Sequence, residues 1–564
     1  MRADVFLSTL DGFSIEEANK QIYARSGIVH FLPQSLPVDN TKTTSDAGEK
    51  KEEFGDWQTS YELAHAVCLL IKDSGFNPEV VVEPTCGKGA FILAALDVFD
   101  SVKVIYGVEL YQPYLDELKK NLFQPYLDEL KKNLLEISLN NNRTMPRIVL
   151  SHANVFDYDF SEIAKTHANE SILVVGNPPW VTNSKLSSLN SSNLPQKTNF
   201  KQSKGLDAIT GKGNFDIAEY ISLMLMRVFS SNQGKFAFLV KNIVPKNIIS
   251  EQTKAKLGIS NVCQWNIDAN KEFGVSASAS LMTCDFGGQY STRCAVYDFY
   301  TRDHLYDFGW SCNNFVSNIK EYVETQDFDG VCPFEWWSGV KHDCSKVMEL
   351  RESPSGNLIN GLGEIVDIED DLVYPLLKSS SIGAEHITQT SRFVIITQHT
   401  ASENTDYIRT KYPKAYAYLD SHAQELDGRK SVIYKKRPRF SIFGIGTYSF
   451  APYKIAVSGL YKHTCFSLIS PIYNKPVILD DTCYLIGFES ETIAQITLRI
   501  LNGRYAQSLL HSLMFADAKR IINKDLLMRL DIKAIADRYS PESLEISPND
   551  FLEYRALLAG GVLF

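Results

Sequence analysis

Short apolar segments, each followed by glycine or polar residues, recur through the first half of the chain. They have strand length and are apolar almost throughout, as are strands buried on both faces of a parallel sheet. Stretches with apolar residues at helical spacing lie between several of them. The predicted strands are residues 79–83, 102–109, 147–150, 172–176 and 234–240, and predicted helices begin at Thr59, Ala90 and Asn214. This alternation predicts an α/β fold, a Rossmann-like sheet with helices on both faces.

The fourth predicted strand is followed by Asn177, Pro178, Pro179 and Trp180, which we call the NPPW motif. Ligands of open α/β sheets bind at the carboxyl ends of the strands. Neither proline has an N–H, so both main-chain carbonyls lie on a stiff backbone without a competing local donor. The motif therefore predicts a site for a planar group with an exocyclic amine. The Asn177 side-chain oxygen and the Pro178 carbonyl would accept from the amine, and Trp180 would stack on the ring.

Such an amine is a poor nucleophile, because its lone pair is delocalised into the ring. Two fixed acceptors would draw the nitrogen towards tetrahedral geometry and aim the lone pair, and positioning of this kind lowers a barrier substantially. The alternative interpretation is structural: a proline turn closes the strand, and Trp180 belongs to the core. The four residues alone do not separate the two interpretations, but the segments that precede them favour a ligand site.

A glycine-containing loop, residues 84–89, follows the first predicted strand and precedes a helix. Such a loop lets a ligand approach the backbone closely, although it is neither a G-x-G-x-x-G motif nor a P-loop. Glu109 closes the second predicted strand, 26 residues after Glu83. An acid in this position commonly accepts the ribose hydroxyls of a nucleoside. Thr59, with Glu62 three residues later, predicts a capping box beside the same site.

The composition indicates the general class of protein to which the chain belongs. The chain has 564 residues, of which 44% are hydrophobic and 22% charged, which is typical of a globular protein. No apolar run approaches membrane-spanning length, and the start shows no signal-peptide pattern. The ten cysteines form no C-x-x-C pair, which argues against a zinc site or a disulfide framework and favours a reducing cytoplasm.

The charge is unevenly distributed. The net charge is −10, yet residues 429–475 contain nine Lys or Arg and no acid. Aromatic residues such as Tyr434 and Phe440 lie between these charges. This composition favours a local surface for a polyanion over a merely solvated basic face. Within it, the phosphate-binding candidates are Lys435, Lys436, Arg437 and Arg439.

Three segments are predicted along the chain. Residues 1–53 are a weakly structured amino-terminal segment and linker, residues 54–300 the catalytic domain, and residues 301–564 a second, α+β domain. Residues 181–213, rich in lysine, are predicted to form a mobile basic loop beside the NPPW motif. A 12-residue repeat, residues 112–123 and 124–135, suggests a tandem duplication or an artefact, and no function is assigned to it.

In combination and order, these motifs resemble the gamma group of adenine-N6 DNA methyltransferases of the stand-alone bacterial restriction–modification type. The resemblance covers roughly residues 54–530. It rests on the glycine loop after Glu83, the acid Glu109, the segment from Asn154 to Phe156, and the NPPW motif. In the second domain it rests on residues 337–343, 437–461 and 517–520.

The resemblance implies S-adenosylmethionine as cofactor, and no metal. Its methionine end would be lined by Glu83, Thr85, Cys86 and Gly87, its ribose held by Glu109, and its adenine faced by Asn154 and Val155. Thr59 and Asn177 would also border it. Relatives usually have Asp where this chain has Asn154, but an amide oxygen can still accept from an adenine amine. Phe273 falls where the family places a second aromatic residue against the target base.

The resemblance also implies the reaction. Methyl would pass from S-adenosylmethionine to the amine of an adenine flipped out of double-stranded DNA, and the second domain would read bases and grip phosphates. A restriction endonuclease or defence subunit would be a separate protein, and the enzyme would be cytoplasmic and nucleoid-associated in a bacterial or archaeal cell. The alternatives are methylation of RNA adenine, protein glutamine or DNA cytosine-N4, or a DNA-binding module without catalysis.

Overall fold

The computed structural model describes residues 14–26, 59–87, 89–110, 146–181, 216–435, 437–461, 464–515 and 520–560. The repeat at 112–135, Lys436 and residues 182–213 of the basic loop lie outside these ranges. The chain divides into two compact units, Met1–Trp310 and Ser311–Phe564. The division falls ten residues beyond the predicted boundary, because two further strands after residue 290 extend the sheet of the first unit.

The first unit contains a mixed sheet and helices. Its strands are β1 (Val80–Glu83), β2 (Val104–Glu109), β3 (Arg147–His152), β4 (Ile172–Gly176), β5 (Gly234–Lys241), β6 (Ile259–Ile267), β7 (Ala279–Phe286), β8 (Arg293–Asp298) and β9 (His304–Ser311). Its helices are α1 (Ile15–Ser26), α2 (Tyr61–Asp73), α3 (Ala90–Val98), α4 (Phe160–Thr166), α5 (Ile217–Phe229), α6 (Ile243–Ala255) and α7 (Ala269–Phe273). Helix α1 lies in the segment that was predicted to be weakly structured, and its Ala18 and Ile22 are buried.

The nine strands of this unit lie in the order β9-β8-β6-β7-β5-β4-β1-β2-β3. Strands β1 to β5 run parallel to one another, whereas β7 runs antiparallel to both β5 and β6. The central strands β1 and β4 are buried along their whole length, as their continuous apolar sequences predict. The carboxyl ends of β1, β2, β4 and β5 therefore meet at one edge, together with the start of β7, where Lys241 pairs with Ala279.

The second unit is α+β. Its strands are β10 (Asn314–Val316), β11 (Trp337–Ser338), β12 (Glu349–Glu352), β13 (Leu358–Asn360), β14 (Val373–Leu377), β15 (His386–Ile387), β16 (Arg392–Ile395), β17 (Tyr453–Ser458), β18 (Phe466–Ile469), β19 (Ile478–Leu479) and β20 (Cys483–Phe488). Ten of them form two five-stranded sheets, of order β11-β20-β17-β18-β15 and β13-β12-β16-β14-β19. Each sheet packs on an apolar core of its own, and a third buried cluster contains residues of both sheets.

Helices cover these sheets. They are α8 (Ile319–Thr325), α9 (Ser345–Met348), α10 (Tyr407–Lys411), α11 (Pro413–Ser421), α12 (Ala423–Asp427), α13 (Glu491–Asn502), α14 (Arg504–Leu513), α15 (Lys524–Leu527), α16 (Ile532–Ala536) and α17 (Pro548–Ala559). Both architectures confirm the predicted fold class. Within the described ranges, no helix is long and apolar enough to cross a membrane.

Candidate active site

The NPPW motif begins directly after β4, at the shared edge of the sheet. Asn177 Nδ2 donates a hydrogen bond to Thr59 Oγ1 over 3.2 Å, and Thr85 Oγ1 donates to the Asn177 main-chain oxygen over 3.4 Å. Three residues that the sequence placed near the cofactor thus contact one another. Because Nδ2 is turned towards Thr59, the Asn177 side-chain oxygen faces the other way, as an acceptor for an amine requires.

The predicted capping box at Thr59 is wrong. The N-cap of α2 is Ser60, whose Oγ accepts from Leu63 N–H over 3.2 Å. Thr59 is one residue too early to cap the helix, and its hydroxyl accepts from Asn177 instead. Thr59 therefore contacts the NPPW motif and does not cap the helix.

Trp180 is held from two sides. Its indole Nε1 donates to the Leu239 carbonyl on β5 over 3.1 Å, and its ring meets the ring of Phe273 edge to face, with centroids 5.0 Å apart. Trp180 is only 5% exposed, so most of its ring is buried in the core beside the candidate site. The structure brings together the two aromatic residues that the sequence assigned to the target base.

The sequence missed a cation beneath the motif. Lys241, at the carboxyl end of β5, donates from Nζ to the Trp180 carbonyl over 2.8 Å and pairs with Asp216 Oδ2 over 2.9 Å. Asp216 is the N-cap of α5 and is buried. A lysine that ends an apolar strand was the available signal, but nothing local in the sequence identifies its partners.

Glu83, the last residue of β1, is 3% exposed. Burial, and to a smaller extent the charge of Glu109, raise the pKa of this carboxyl well above its ordinary value, although the Ile92 N–H opposes the shift. Among the described residues, Glu83 Oε2 has no hydrogen-bond partner. A buried carboxyl with one unsatisfied oxygen is suited to a cationic ligand.

The glycine loop connects Glu83 to Glu109. Gly87 has a positive φ of 46°, and its N–H donates to Glu109 Oε2 over 2.9 Å. Cys86 N–H donates to the Val108 carbonyl over 2.9 Å. Burial raises the pKa of the Cys86 thiol well above its ordinary value, as do Glu83 and Glu109. Cys86 is therefore a neutral thiol that packs in the loop and not a nucleophile.

Asn154 lies after β3 and caps its own turn. Its Oδ1 accepts from Phe156 N–H over 3.0 Å, and since an amide oxygen has two lone pairs it retains capacity for a second donor. Val155 beside it is buried. The ring of Phe156 meets Tyr220 of α5 edge to face at 5.5 Å. Sequence reasoning missed Tyr220, which places a second aromatic ring beside the residues predicted to face the cofactor's adenine.

These residues fit S-adenosylmethionine. Glu109 would hold the ribose hydroxyls and Asn154 with Val155 the adenine, as the family resemblance implies. Glu83, which the resemblance places at the methionine end, would hold the ammonium group there. The strand order with β7 reversed, and this set of groups at the strand ends, define a class I S-adenosylmethionine-dependent methyltransferase.

Comparison with known proteins identifies the family. The chain is 40% identical over 488 residues to the type II methyltransferase M.NspV of Nostoc sp. (strain ATCC 29411 / PCC 7524), across 86% of this chain and 98% of that relative. The chain belongs to the type II methyltransferase family, the site-specific DNA methyltransferases of restriction–modification systems, and its cofactor is S-adenosylmethionine. A scan against protein-family models finds no match.

Two solved structures are more distant. The type IIL restriction–modification enzyme MmeI in complex with DNA has a TM-score of 0.49 and 13% identity, over 91% of this chain and 72% of that one. The type IIG restriction endonuclease BpuSI has a TM-score of 0.36 and 12% identity, over 90% of this chain and 61% of that one.

Glu83 predicts that cofactor affinity depends on pH. Only the carboxylate attracts an ammonium group, and the raised pKa keeps Glu83 protonated above the ordinary carboxyl range. Affinity for S-adenosylmethionine should therefore rise with pH, by at most about tenfold per unit, until the raised pKa is passed. Calorimetric titration between pH 5 and 7, below the pKa of α-amino groups, measures this slope. The Glu83→Gln variant should bind weakly with no slope, and an identical slope in both proteins would assign the pH dependence to another group.

The basic segment is more heavily paired than its sequence suggests. Arg439 forms ion pairs with Asp420 at 2.7 Å and Asp427 at 3.7 Å. Arg437 donates to the Ala401 carbonyl over 3.4 Å and lies over the Phe443 ring. Lys435 is exposed. Because two carboxylates already pair with Arg439, the case for a phosphate contact by this residue is weakened. Phosphate contacts by Lys435 and Arg437 stay a prediction.

Two other charges of that segment are internal. Lys454 is 1% exposed, and burial lowers its pKa to about 7. Arg429 donates to the carbonyls of His342 and Ser441. Lys454 Nζ donates to the Ala451 carbonyl, so both side chains have partners inside the second unit and are not candidates for a surface that binds DNA.

Proposed function

We propose that the chain methylates the N6 amine of an adenine flipped out of double-stranded DNA. The observation that carries the proposal is the fixed Asn177 amide beside Trp180 and Phe273. An asparagine in this position favours adenine over cytosine-N4, for which serine is usual in related enzymes. The α+β second unit favours a DNA substrate over RNA or a protein glutamine.

In this mechanism S-adenosylmethionine supplies the methyl group as an electrophile. Asn177 Oδ1 and the Pro178 carbonyl accept the two amine hydrogens, which aims the nitrogen lone pair. Pro178 is buried and Pro179 half-buried, so the backbone that presents the carbonyls is rigid. Trp180 and Phe273 enclose the base and exclude water. In this proposal a restriction endonuclease or defence subunit would act as a separate partner protein, and a DNA substrate is consistent with a nucleoid-associated cytoplasmic enzyme.

The test is to find where the methyl group goes. The chain should be expressed in cells without other methyltransferases, and the modified bases in their DNA should be mapped by sequencing. In parallel, purified protein should receive labelled S-adenosylmethionine with DNA, RNA or protein. We expect N6-methyladenine at one short DNA sequence. Label in cytosine-N4, in RNA or in protein, with unmodified DNA adenine, would overturn the proposal.

The basic segment makes a second, separable prediction. If Lys435 and Arg437 contact phosphates, each alanine variant should weaken binding to all DNA sequences alike, and the slope of log affinity against log salt should fall by about 0.9 per lost contact. Arg439→Ala is the matched comparison, and a smaller change is expected because Asp420 and Asp427 already neutralise that side chain. If one of these residues reads a base, its alanine variant should instead lose specificity at one position of the DNA site. The loss of discrimination there should be about 1–3 kcal/mol.

Binding titrations with matched and mismatched duplexes at several salt concentrations measure both effects. If Lys435, Lys436, Arg437 and Arg439 are all replaced and neither affinity, slope nor specificity changes, the segment is only a solvated face. The lysine-rich residues 181–213 would then be the better candidate for the DNA surface.

A further inference from the structure

Two successive carbonyls hold the end of the NPPW motif. The Trp180 carbonyl accepts from Lys241 Nζ over 2.8 Å, and the Val181 carbonyl accepts from Ile217 N–H over 2.9 Å. The first donor ends β5, and the second begins α5. The backbone that carries the Trp180 ring is therefore tied to two elements that are distant in sequence.

Lys241 is itself fixed. Its ammonium lies 2.9 Å from Asp216 Oδ2, while the other oxygen of Asp216 accepts from Ala218 N–H over 3.0 Å and caps α5. The Asp216 side chain is 6% exposed and the Lys241 side chain 27% exposed. A pair this well shielded is weakly screened by salt, and each partner fixes the rotamer of the other. The carboxylate also compensates a positive charge at a site that binds a cationic cofactor.

We propose that Lys241, oriented by Asp216, is a positioning residue for methyl transfer. It fixes the Trp180 carbonyl and thereby the depth at which the Trp180 ring meets the target base. This inference rests on the proposed function, in which Trp180 stacks on a flipped adenine. A displacement of about 1 Å in a group that aligns reactants can lower a rate by roughly 10²-fold, so the loss of one such tether is measurable.

The same strand supplies a matched control. Lys235, near the other end of β5, also pairs with a carboxylate, that of Asp285. Its Nζ makes no contact with the NPPW motif, which lies at the carboxyl end of the strand. Lys235→Met therefore removes a partly buried ion pair of the same kind while leaving the tether intact.

The experiment uses the full chain and a plasmid that carries its mapped site. Wild type, Lys241→Met, Lys241→Arg, Asp216→Asn and Lys235→Met should be compared by single-turnover methylation, S-adenosylmethionine titration and thermal melting. Fluorescence of a separate synthetic duplex, with 2-aminopurine in place of the target adenine, reports stacking on Trp180. We expect Lys241→Met to lower the single-turnover rate by roughly 10- to 100-fold and to change the fluorescence of the bound base. Cofactor affinity should stay within a few-fold.

Lys241→Arg, which keeps a donor, should recover most of the rate, and Lys235→Met should retain it. If Lys241→Met does not fold, Asp216→Asn decides, because it keeps the cap acceptor of α5 and should still lower the rate several-fold. Wild-type rate and fluorescence in Lys241→Met, or equal losses in Lys241→Met and Lys235→Met, would overturn the inference. A wild-type protein that leaves DNA adenine unmethylated would instead overturn the proposed function.

Discussion

Replacing Asn177 with alanine should lower the rate of methyl transfer by roughly 10²–10³-fold and leave S-adenosylmethionine affinity within a few-fold. The change removes an acceptor aimed at the amine in the transition state, and loss of one such preorganised group costs about 2.7–4 kcal/mol in a comparable site. Cofactor affinity should survive because Glu83 and Glu109, which fit the methionine and ribose ends, belong to β1 and β2 and are untouched.

Single-turnover methylation and calorimetric titration of the cofactor separate these two effects. Thr59→Val is the companion variant: it removes the hydroxyl that accepts from Asn177 Nδ2 and leaves the amide in place but less well oriented. Its rate should fall between those of wild type and Asn177→Ala. Near-normal turnover in Asn177→Ala would remove Asn177 from the mechanism, and loss of cofactor binding in the same variant would show a structural role.

The strands and the position of the NPPW motif could be predicted because their signal is local. A continuous apolar run such as that of β4 has one favourable environment, a strand buried on both faces, and a polar residue after it must lie at the sheet edge. The glycine loop and Glu109 follow the same logic at the ends of β1 and β2. The contact between Thr85 and Asn177, 92 residues apart, requires in addition that β1 and β4 be neighbours, which the sequence analysis does not specify.

Pairs of charges could not be predicted in this way. The basic segment looks unopposed when residues 429–475 are read alone, yet Asp420, Asp427 and Asp370 lie just outside that window or far from it and pair with Arg439 and Lys475. The ion pair of Lys241 and Asp216 could not be predicted for the same reason. Which carboxylate meets which cation depends on how elements pack, and the order of residues does not specify it.

The assignment of Thr59 shows a different limit. Thr59 and Ser60 are adjacent hydroxyl residues before an apolar helical stretch, and either satisfies the local preference for an N-cap. In the structure Ser60 accepts from the backbone of α2 and is its N-cap. The Thr59 hydroxyl accepts from Asn177 instead. Only the contact with Asn177, which is distant in sequence, shows that Thr59 is not the helix cap.

Phe273→Ala should raise the free-energy barrier to methylation by about 1–3 kcal/mol. This is the range for loss of one aromatic face stacked on a base. The two rings now meet with centroids 5.0 Å apart, whereas two faces that enclose a base must lie about 7 Å apart at van der Waals contact. Phe273 must therefore move when the base enters. Breaking one aromatic contact costs about 0.5–1.5 kcal/mol, which stacking of the base on an aromatic ring, at about 1–3 kcal/mol, can offset.

Conservative variants at the same position make this prediction specific. Phe273→Tyr keeps a ring and should retain most of the rate, whereas Phe273→Leu keeps apolar volume without a π-face and should behave nearly as alanine does. Single-turnover rates on a duplex with adenine at the target position measure the chemistry, and the fluorescence of a second duplex with 2-aminopurine in that position measures the stacking. In Phe273→Ala the bound base should fluoresce more strongly, because only Trp180 remains to quench it. If Phe273→Leu retains the rate as well as Phe273→Tyr does, Phe273 only fills space beside Trp180. Another residue must then stack on the second face of the target base.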